Sequence, residues 1–495
     1  MKKPIFLMLA FLGLACAHAE EQKHPYNVLL ICTDDMRPDL GCYGNPIVQS
    51  PNIDRLAASG VRFDRAYCQY PLCNPSRISM LTGRQPGKTG MYGNRIWFKD
   101  VLPDAVSLPQ YFKDNGFVTL RSGKIFHGGI DDTDAWSVGG EVRTLAGVPK
   151  NAEKTPGAPA ADPAQVMSEK QEKGGKKPER LQENDRDKSS YSDQWQATPD
   201  TGEKHGDSKA ADRAIEMLKK YKDQRFFMAC GFAKPHSPLI APQRFFESYV
   251  ADKIPLPVNF APRPTVPEGF PKLSIRPKNA DLFIGRDATP EQAREMIRAY
   301  YACITFADWN VGRVISALDE LGLREKTIIV FWSDHGYQLG ERGKWSKAGS
   351  LFEQGARTPF IIDLPHARGN GQASSRVVEA VDIYPTLAEL CGLPVPKELD
   401  GKSLTPLLDD PKHAWNRPAF TVWSENGESA HGVSIRNERW RYTKFRDGSE
   451  MLFDLDQDPQ ELKNVVNEPG NAWVHAELQK QIDAYSPTLT TGGAN

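Results

Sequence analysis

Four short apolar runs, each broken off by a cluster of polar residues, constrain this 495-residue chain more than any other feature. Asn27-Val-Leu-Leu-Ile-Cys-Thr33 runs into Asp34 and Asp35, and Phe117-Val-Thr-Leu120 into Gly123, Lys124 and His127. Arg225-Phe-Phe-Met-Ala-Cys230 runs into Lys234, Pro235 and His236, and Thr327-Ile-Ile-Val-Phe-Trp332 into Asp334, His335 and Gly336. Continuous apolar runs bounded by turn residues read as strands buried on both faces of a parallel sheet. Between them, Met296, Ile297, Tyr300, Ile304, Val311, Val314, Ile315 and Leu318 form an apolar stripe at helical spacing, which predicts a helix over Glu291 to Leu321. The alternation implies an α/β sandwich around a mostly parallel central sheet. In open α/β sheets a ligand binds beyond the carboxyl ends of the strands, where all four polar clusters fall.

From about Pro394 the pattern changes. Ala419–Trp423, Gly432–Arg436, Trp440–Phe445 and Met451–Leu455 read as successive short strands, followed by a helix over Ala472–Tyr485. We expect residues 20–393 to form the large domain and 394–495 a smaller α+β unit with an antiparallel sheet. No aromatic residue occurs from 137 to 190, a stretch rich in Lys, Glu, Gly, Pro and Ala that cannot bury much and reads as a solvated insertion. The Pro-rich Asp252–Lys278 region reads as a surface connection.

Lys2 and Lys3 precede the apolar run Ile5–Leu14, and Ala17-His18-Ala19 flanks a cleavage point, the layout of a signal peptide over residues 1–19. Export to the periplasm or medium follows, with lipoprotein anchoring through Cys16 disfavoured because Gly13 stands where a larger aliphatic residue is needed. No later stretch is long and apolar enough to span a membrane. The net charge of −1 becomes −3 once Lys2 and Lys3 are removed, which argues against a nucleic-acid partner. Seven cysteines lie beyond residue 19, an odd number with no dense disulfide framework; Cys32 and Cys230 sit in apolar runs and read as buried and inert.

Cys73-Asn-Pro-Ser-Arg77, followed by Leu81-Thr-Gly-Arg84, resembles the signature of the type I, formylglycine-dependent sulfatases. The resemblance extends to the Asp34-Asp35 pair, Gly123-Lys-Ile-Phe-His127, Lys234-Pro-His236, Ser333-Asp-His-Gly336 and Leu452-Phe-Asp-Leu-Asp-Gln-Asp-Pro459, with wording most similar to the iduronate-2-sulfatase branch. It implies an alkaline-phosphatase-like fold and oxidation of Cys73 to formylglycine by a maturing enzyme. The hydrated aldehyde would be the nucleophile.

The residue types suit such chemistry. Asp34, Asp35 and Asp334 are hard oxygen donors fit for Ca²⁺ or Mg²⁺; the resemblance favours Ca²⁺ and adds His335 and Cys73 to the ligand set. A cation there would lower the pKa of the nucleophile oxygen. Cys73 precedes a helix expected over Ser76–Thr82, with Pro75 in its first turn, where backbone N–H groups favour an anion. Arg77 would steady the nucleophile and the carboxylates, and Lys124 and Lys347 would hold sulfate oxygens, whereas Lys344 is expected to face solvent. His236 would protonate the leaving sugar oxygen and His127 would take the proton that releases sulfate. Tyr337 and the Arg95 region are expected to meet the sugar. The reading is hydrolysis of a sulfate ester on a carbohydrate, a 2-O-sulfated uronic acid being favoured. The alternatives are another sulfated polysaccharide such as an algal one, a phosphonate or phosphate ester, and a non-catalytic glycan-binding protein.

Overall fold

The computed structural model describes residues 26–144 and 192–485. The expected signal segment and most of the 137–190 insertion therefore lie outside the described residues. The four apolar runs form β1 (Asn27–Asp34), β3 (Val118–Gly123), β5 (Phe226–Pro235) and β7 (Thr327–Ser333). They are neighbours in the order β7-β1-β5-β3, all parallel. Beyond β7 the sheet continues through β9 (Phe360–Asp363), β2 (Val61–Tyr67) and β10 (Ala373–Glu379), with β8 (Arg357–Thr358) beside β2. Only β9 and β8 run against the rest, so the eight-stranded sheet is mixed and mostly parallel.

Every residue of β1 and β7 is buried, because both faces of the sheet are covered. Leu29, Ile31, Met228, Ile329 and Phe331 point into one core with the helices Gly206–Tyr221 and Pro290–Glu320. Val28, Leu30, Phe227, Ile328 and Val330 point the other way, into a core shared with Ile78 and Leu81 of the helix Cys73–Thr82 and with Ile383 and Leu387. This side-to-side alternation is the strand periodicity filled on both faces. The 31-residue helix starts one residue before the expected Glu291, at Pro290, where Thr289 and Gln292 form a capping box.

A second sheet of β11 (Ala419–Trp423), β12 (Gly432–Arg436), β13 (Trp440–Phe445) and β14 (Glu450–Asp454) is antiparallel in sequence order. β14 starts one residue earlier than expected. Val474, Leu478 and Ile482 of the helix Ala472–Tyr485 pack on it, in a core that also takes in Tyr70, Leu351 and Phe352 of the larger unit. A two-stranded parallel pair, β4 (Trp195–Thr198) and β6 (Leu239–Pro242), completes the strands among the described residues. The Asp252–Lys278 connection is less superficial than expected, since Ile254, Phe270, Ser274 and Ile275 are buried.

Candidate active site

The carboxyl ends of β1, β3, β5 and β7 share one edge of the sheet and carry the four polar clusters together. The chain leaves β1 through Asp35 at φ 67°, a left-handed conformation that a non-glycine residue holds only when its surroundings enforce it. Here the Tyr300 hydroxyl donates to the Asp35 carbonyl (2.6 Å), and the backbone N–H groups of Asp35 and Met36 donate to Asp334 Oδ1 (3.2 Å) and Ser333 Oγ (3.0 Å). Asp34 and Asp334 are thereby brought face to face from adjacent strands. At the end of β3, Gly231 allows Lys124 to pass close by, for a Cβ at 231 would stand 1.9 Å from the Lys124 carbonyl oxygen.

The helix over Cys73–Thr82 begins at Cys73 rather than at the expected Ser76, so Cys73 lies inside its first turn. All ten of its residues are buried. Cys73 Sγ lies 3.4 Å from Asp34 Oδ1 and 3.4 Å from His335 Nε2. One turn on, Arg77 lies on the same face, fully buried, where its Nε donates to Asp334 Oδ2 (2.9 Å) and its Nη1 to the carbonyls of Lys124 (2.7 Å) and Ile125 (3.1 Å). Lys124 pairs with Asp34 Oδ2, and Lys347 donates to Asp35 Oδ2 (3.0 Å), its Nζ also lying 3.0 Å from His236 Nε2. His236 stands in one cluster with Cys73, and His127 is close enough to feel the charges of Cys73 and Lys124.

Hydrogen bonds orient the imidazoles. His236 Nδ1 donates to the Ser237 carbonyl (2.5 Å) and His335 Nδ1 to the Gly336 carbonyl (3.0 Å), so each Nε2 faces the centre of the cluster. Burial and Asp34 oppose ionisation of Cys73, but Lys124, Lys347 and His335 outweigh them and hold the thiol well below its ordinary value. Burial and Lys347 work against a proton on His236, yet Asp35 and Asp34 prevail and its pKa stands above the ordinary imidazole value. Burial pushes His127 the other way, below it. Two imidazoles beside one sulfur are thus driven apart, one toward the acid form and one toward the base.

The acidic residues fit a hard cation. One ligand atom each from Asp34, Cys73, Asp334 and His335 lies within 4.8 Å of the others, and Asp34, Asp35, Cys73 and His236 form a second such group. Asp35 Oδ1 is buried without a hydrogen-bond partner. Burial pushes Asp334 up to about 7 against the pull of Arg77, with the neighbouring Asp34 adding to the rise. His335 Nδ1 is tied to the Gly336 carbonyl and, against its burial, the surrounding acids raise its pKa to about 10, so a metal at Nε2 would take the place of the proton held there.

The structure therefore brings together Asp34, Asp35, Cys73, Arg77, Lys124, His127, His236, Asp334, His335 and Lys347. Lys344 does not face solvent. It is buried, with Nζ donating to the carbonyls of Lys278 (2.7 Å) and Arg276 (3.3 Å), because the Asp252–Lys278 connection folds over it. Tyr337 is also buried, its hydroxyl donating to the Trp345 carbonyl (3.1 Å), and so it supports the site from behind instead of meeting a ligand. Arg95 is exposed, on a loop fastened to the Cys73 helix by Asn74, whose Nδ2 donates to the carbonyls of Gly93 (2.9 Å) and Ile96 (2.8 Å). All seven described cysteines are free thiols. Sequence reasoning missed Asn74, although it lies inside the motif, and Asp207, which accepts from the Ala233 and Lys234 N–H groups (2.8 and 2.9 Å) and fixes the end of β5. A lone Asp at a helix start gave no signal for the latter.

Comparisons with known proteins bear on the family and the fold. The "Sulfatase" family model matches residues 26–393, and that of the C-terminal region of N-sulphoglucosamine sulphohydrolase matches 340–487. The chain is 34% identical to human iduronate 2-sulfatase, over 89% of this chain and 91% of that protein. It is 31% identical to a sulfatase of Formosa agariphila, over 94% and 89%. Among solved structures, the phosphonate monoester hydrolase of Agrobacterium radiobacter shares the fold, with a TM-score of 0.71, 22% identity and coverage of 94% and 96%.

Proposed function

The chain belongs to the sulfatase family, whose members are sulfuric ester hydrolases, and on that premise we propose that it removes a 2-O-sulfate from a terminal uronic acid by a formylglycine-dependent route. The observation that carries this reading is Cys73, buried at a helix N-terminus between Asp34 and His335 and ringed by Arg77, Lys124, Lys347, His127 and His236. The 34% identity to human iduronate 2-sulfatase supports the uronate. We read residues 20–393 as the catalytic unit, 394–495 as an appended one and 1–19 as an export signal.

Oxidation of Cys73 by a maturing enzyme would supply a hydrated aldehyde, with one hydroxyl to displace the sugar oxygen at sulfur and another to release sulfate by reforming the aldehyde. Asp34, Asp35, Asp334 and His335, with the modified Cys73, would hold a divalent cation, Ca²⁺ in preference to Mg²⁺, which supplies charge that neutralises the sulfate and acidifies the nucleophile. Lys124 and Lys347 bind sulfate oxygens, so that charge developing in flight meets groups already in place. Arg77 anchors Asp334 and keeps the Lys124 backbone in register. His236, biased toward its acid form, gives a proton to the leaving sugar oxygen. His127, biased toward its base form, removes the proton that lets sulfate depart. Arg95 donates to the uronate carboxylate, a bidentate pairing that a neutral sugar lacks.

Mass measurement of the Cys73 peptide from the native host tests the nucleophile: formylglycine is about 18 Da lighter than the thiol. Turnover by protein whose Cys73 is wholly thiol overturns the mechanism. A panel of sulfated oligosaccharides at matched pH and metal tests the substrate, with 2-O-sulfated uronosyl ends expected to give the highest kcat/KM and Arg95→Met to reduce that advantage. Preference for sulfated hexosamine, fucose or galactose overturns the uronate and leaves the sulfatase.

A further inference from the structure

Asp281 is a partly buried carboxylate, its Oδ2 shielded from solvent, that the mechanism above does not use. Its Oδ2 lies 3.6 Å from Lys347 Nζ and has no hydrogen-bond partner. Its neighbours in sequence are engaged in fastening the chain. On one side, Lys344 holds the carbonyls of Arg276 and Lys278, Asn279 Oδ1 accepts from the Trp345 N–H (3.0 Å), and Asn279 Nδ2 donates to the Gly343 carbonyl (3.2 Å). On the other, Asp193 accepts from the N–H groups of Phe283 (2.8 Å) and Ile284 (3.0 Å) and from Arg286. The segment is thus pinned to the Lys347 loop without any help from Asp281, whose charge is left directed at Lys347.

We propose that Asp281 is the positioning residue for Lys347, a counter-charge that keeps the ammonium aimed at the sulfate position. An ammonium has three N–H donors; Lys347 gives one to Asp35, and its Nζ stands 3.0 Å from His236 Nε2 on a second side. Asp281, at 3.6 Å, is beyond good hydrogen-bond distance, so it attracts the charge and leaves the third N–H for a sulfate oxygen. Without it, the attractions on Lys347 come from the Asp34 and Asp35 side alone, and the ammonium is drawn back onto those carboxylates. This inference rests on the reading that Lys347 binds sulfate.

The test is a double-mutant cycle on mature enzyme loaded with its cation, made of Asp281→Asn, Lys347→Met and the pair. Each is read by kcat, KM and the inhibition constant of inorganic sulfate, with Tm as a folding control. Asp281→Asn is expected to raise KM and the sulfate inhibition constant together by about tenfold, to change kcat less, and to add less than about twofold in the Lys347→Met background. Asp281→Glu is expected to restore most of the loss, and Asp281→Ser replaces the Asn variant if that one does not fold. The inference is overturned if Asp281→Asn acts equally in both backgrounds, or if it leaves KM and sulfate inhibition unchanged while Lys347→Met is crippled. If Lys347→Met itself keeps full kcat/KM and sulfate inhibition, it is the sulfate-binding role of Lys347 that fails.

Discussion

The segment that follows β7 contributes to two buried charge clusters, through Asp334, His335 and Lys347 in one and Glu353 in the other. At the strand ends, Asp34, Asp35, Asp334 and His335 gather around Cys73. At the seam with the C-terminal sheet, Glu353 accepts from Tyr67 (2.8 Å), Arg436 (3.1 Å) and Arg441 (2.5 Å), while Arg441 Nε lies 2.7 Å from Glu461. Burial works against the Glu353 charge, but Arg436 and Arg441 outweigh it and hold its pKa down at about 2. The seam is internally neutralised and joins two units. The strand-end cluster sets Asp34, Asp35 and Asp334 against Lys124, Lys347 and Arg77 around Cys73 and leaves Asp35 Oδ1 without a partner.

Substitutions should separate the two. Cys73→Ser and Asp334→Asn are expected to cut turnover on the order of 10³-fold or more, and thermal unfolding should show at most a small loss of stability, since Asn keeps a side-chain oxygen that can still accept from Arg77 Nε. A large fall in Tm for Asp334→Asn would mean that the strand-end cluster is architecture after all. Glu353→Ala should do the reverse. It leaves Arg436 and Arg441 buried and unpaired and is expected to cost about 3–5 kcal/mol in denaturant unfolding, with kcat of the folded fraction kept.

Acid sharpens the contrast further. The folded pKa of Glu353 is depressed from 4.5 to about 2, so its contribution is fully present above pH 4.5 and is lost as pH falls toward 2, about 3 kcal/mol in all. Glu461, raised by burial, titrates in the opposite sense above pH 4.5, outside that window. Urea unfolding of wild type and Glu353→Gln at pH 5 and pH 3 should show the steeper loss only in wild type.

At the strand ends, pH should act on rate. Activity is expected to fall about tenfold per unit below the depressed His127 value and above the raised His236 value, giving a bell. His127→Gln should remove the acid limb of kcat/KM; a limb that survives assigns it elsewhere. The smallest effect belongs to Tyr337→Phe, which deletes one buried hydrogen bond and is expected to cost about 1 kcal/mol while leaving kcat/KM within twofold.

The chain was most legible where a local pattern has a single physical meaning. The strands of the parallel core were readable because only burial on both faces tolerates such runs, and the residues at their ends were readable because parallel strands deliver them to one edge. The start of the Cys73 helix was misplaced by three residues, since Pro75 was set in its first turn and the helix begins two residues earlier. Lys344 and Lys347 lie three residues apart in one loop, and nothing local says that both are buried, one on backbone carbonyls and the other on Asp35.

By itself, then, the sequence determined the four central parallel strands, the edge at which their polar residues meet and the family motif around Cys73, because periodicity and residue type are local properties. Only the tertiary structure decided which charges face one another. Asp281 lies 66 residues from Lys347 in the chain and Glu353 lies 88 from Arg441, and no spacing rule reaches that far. Whether a carboxylate is balanced or left open depends on which segments are folded over it, and that is a property of the packed molecule alone.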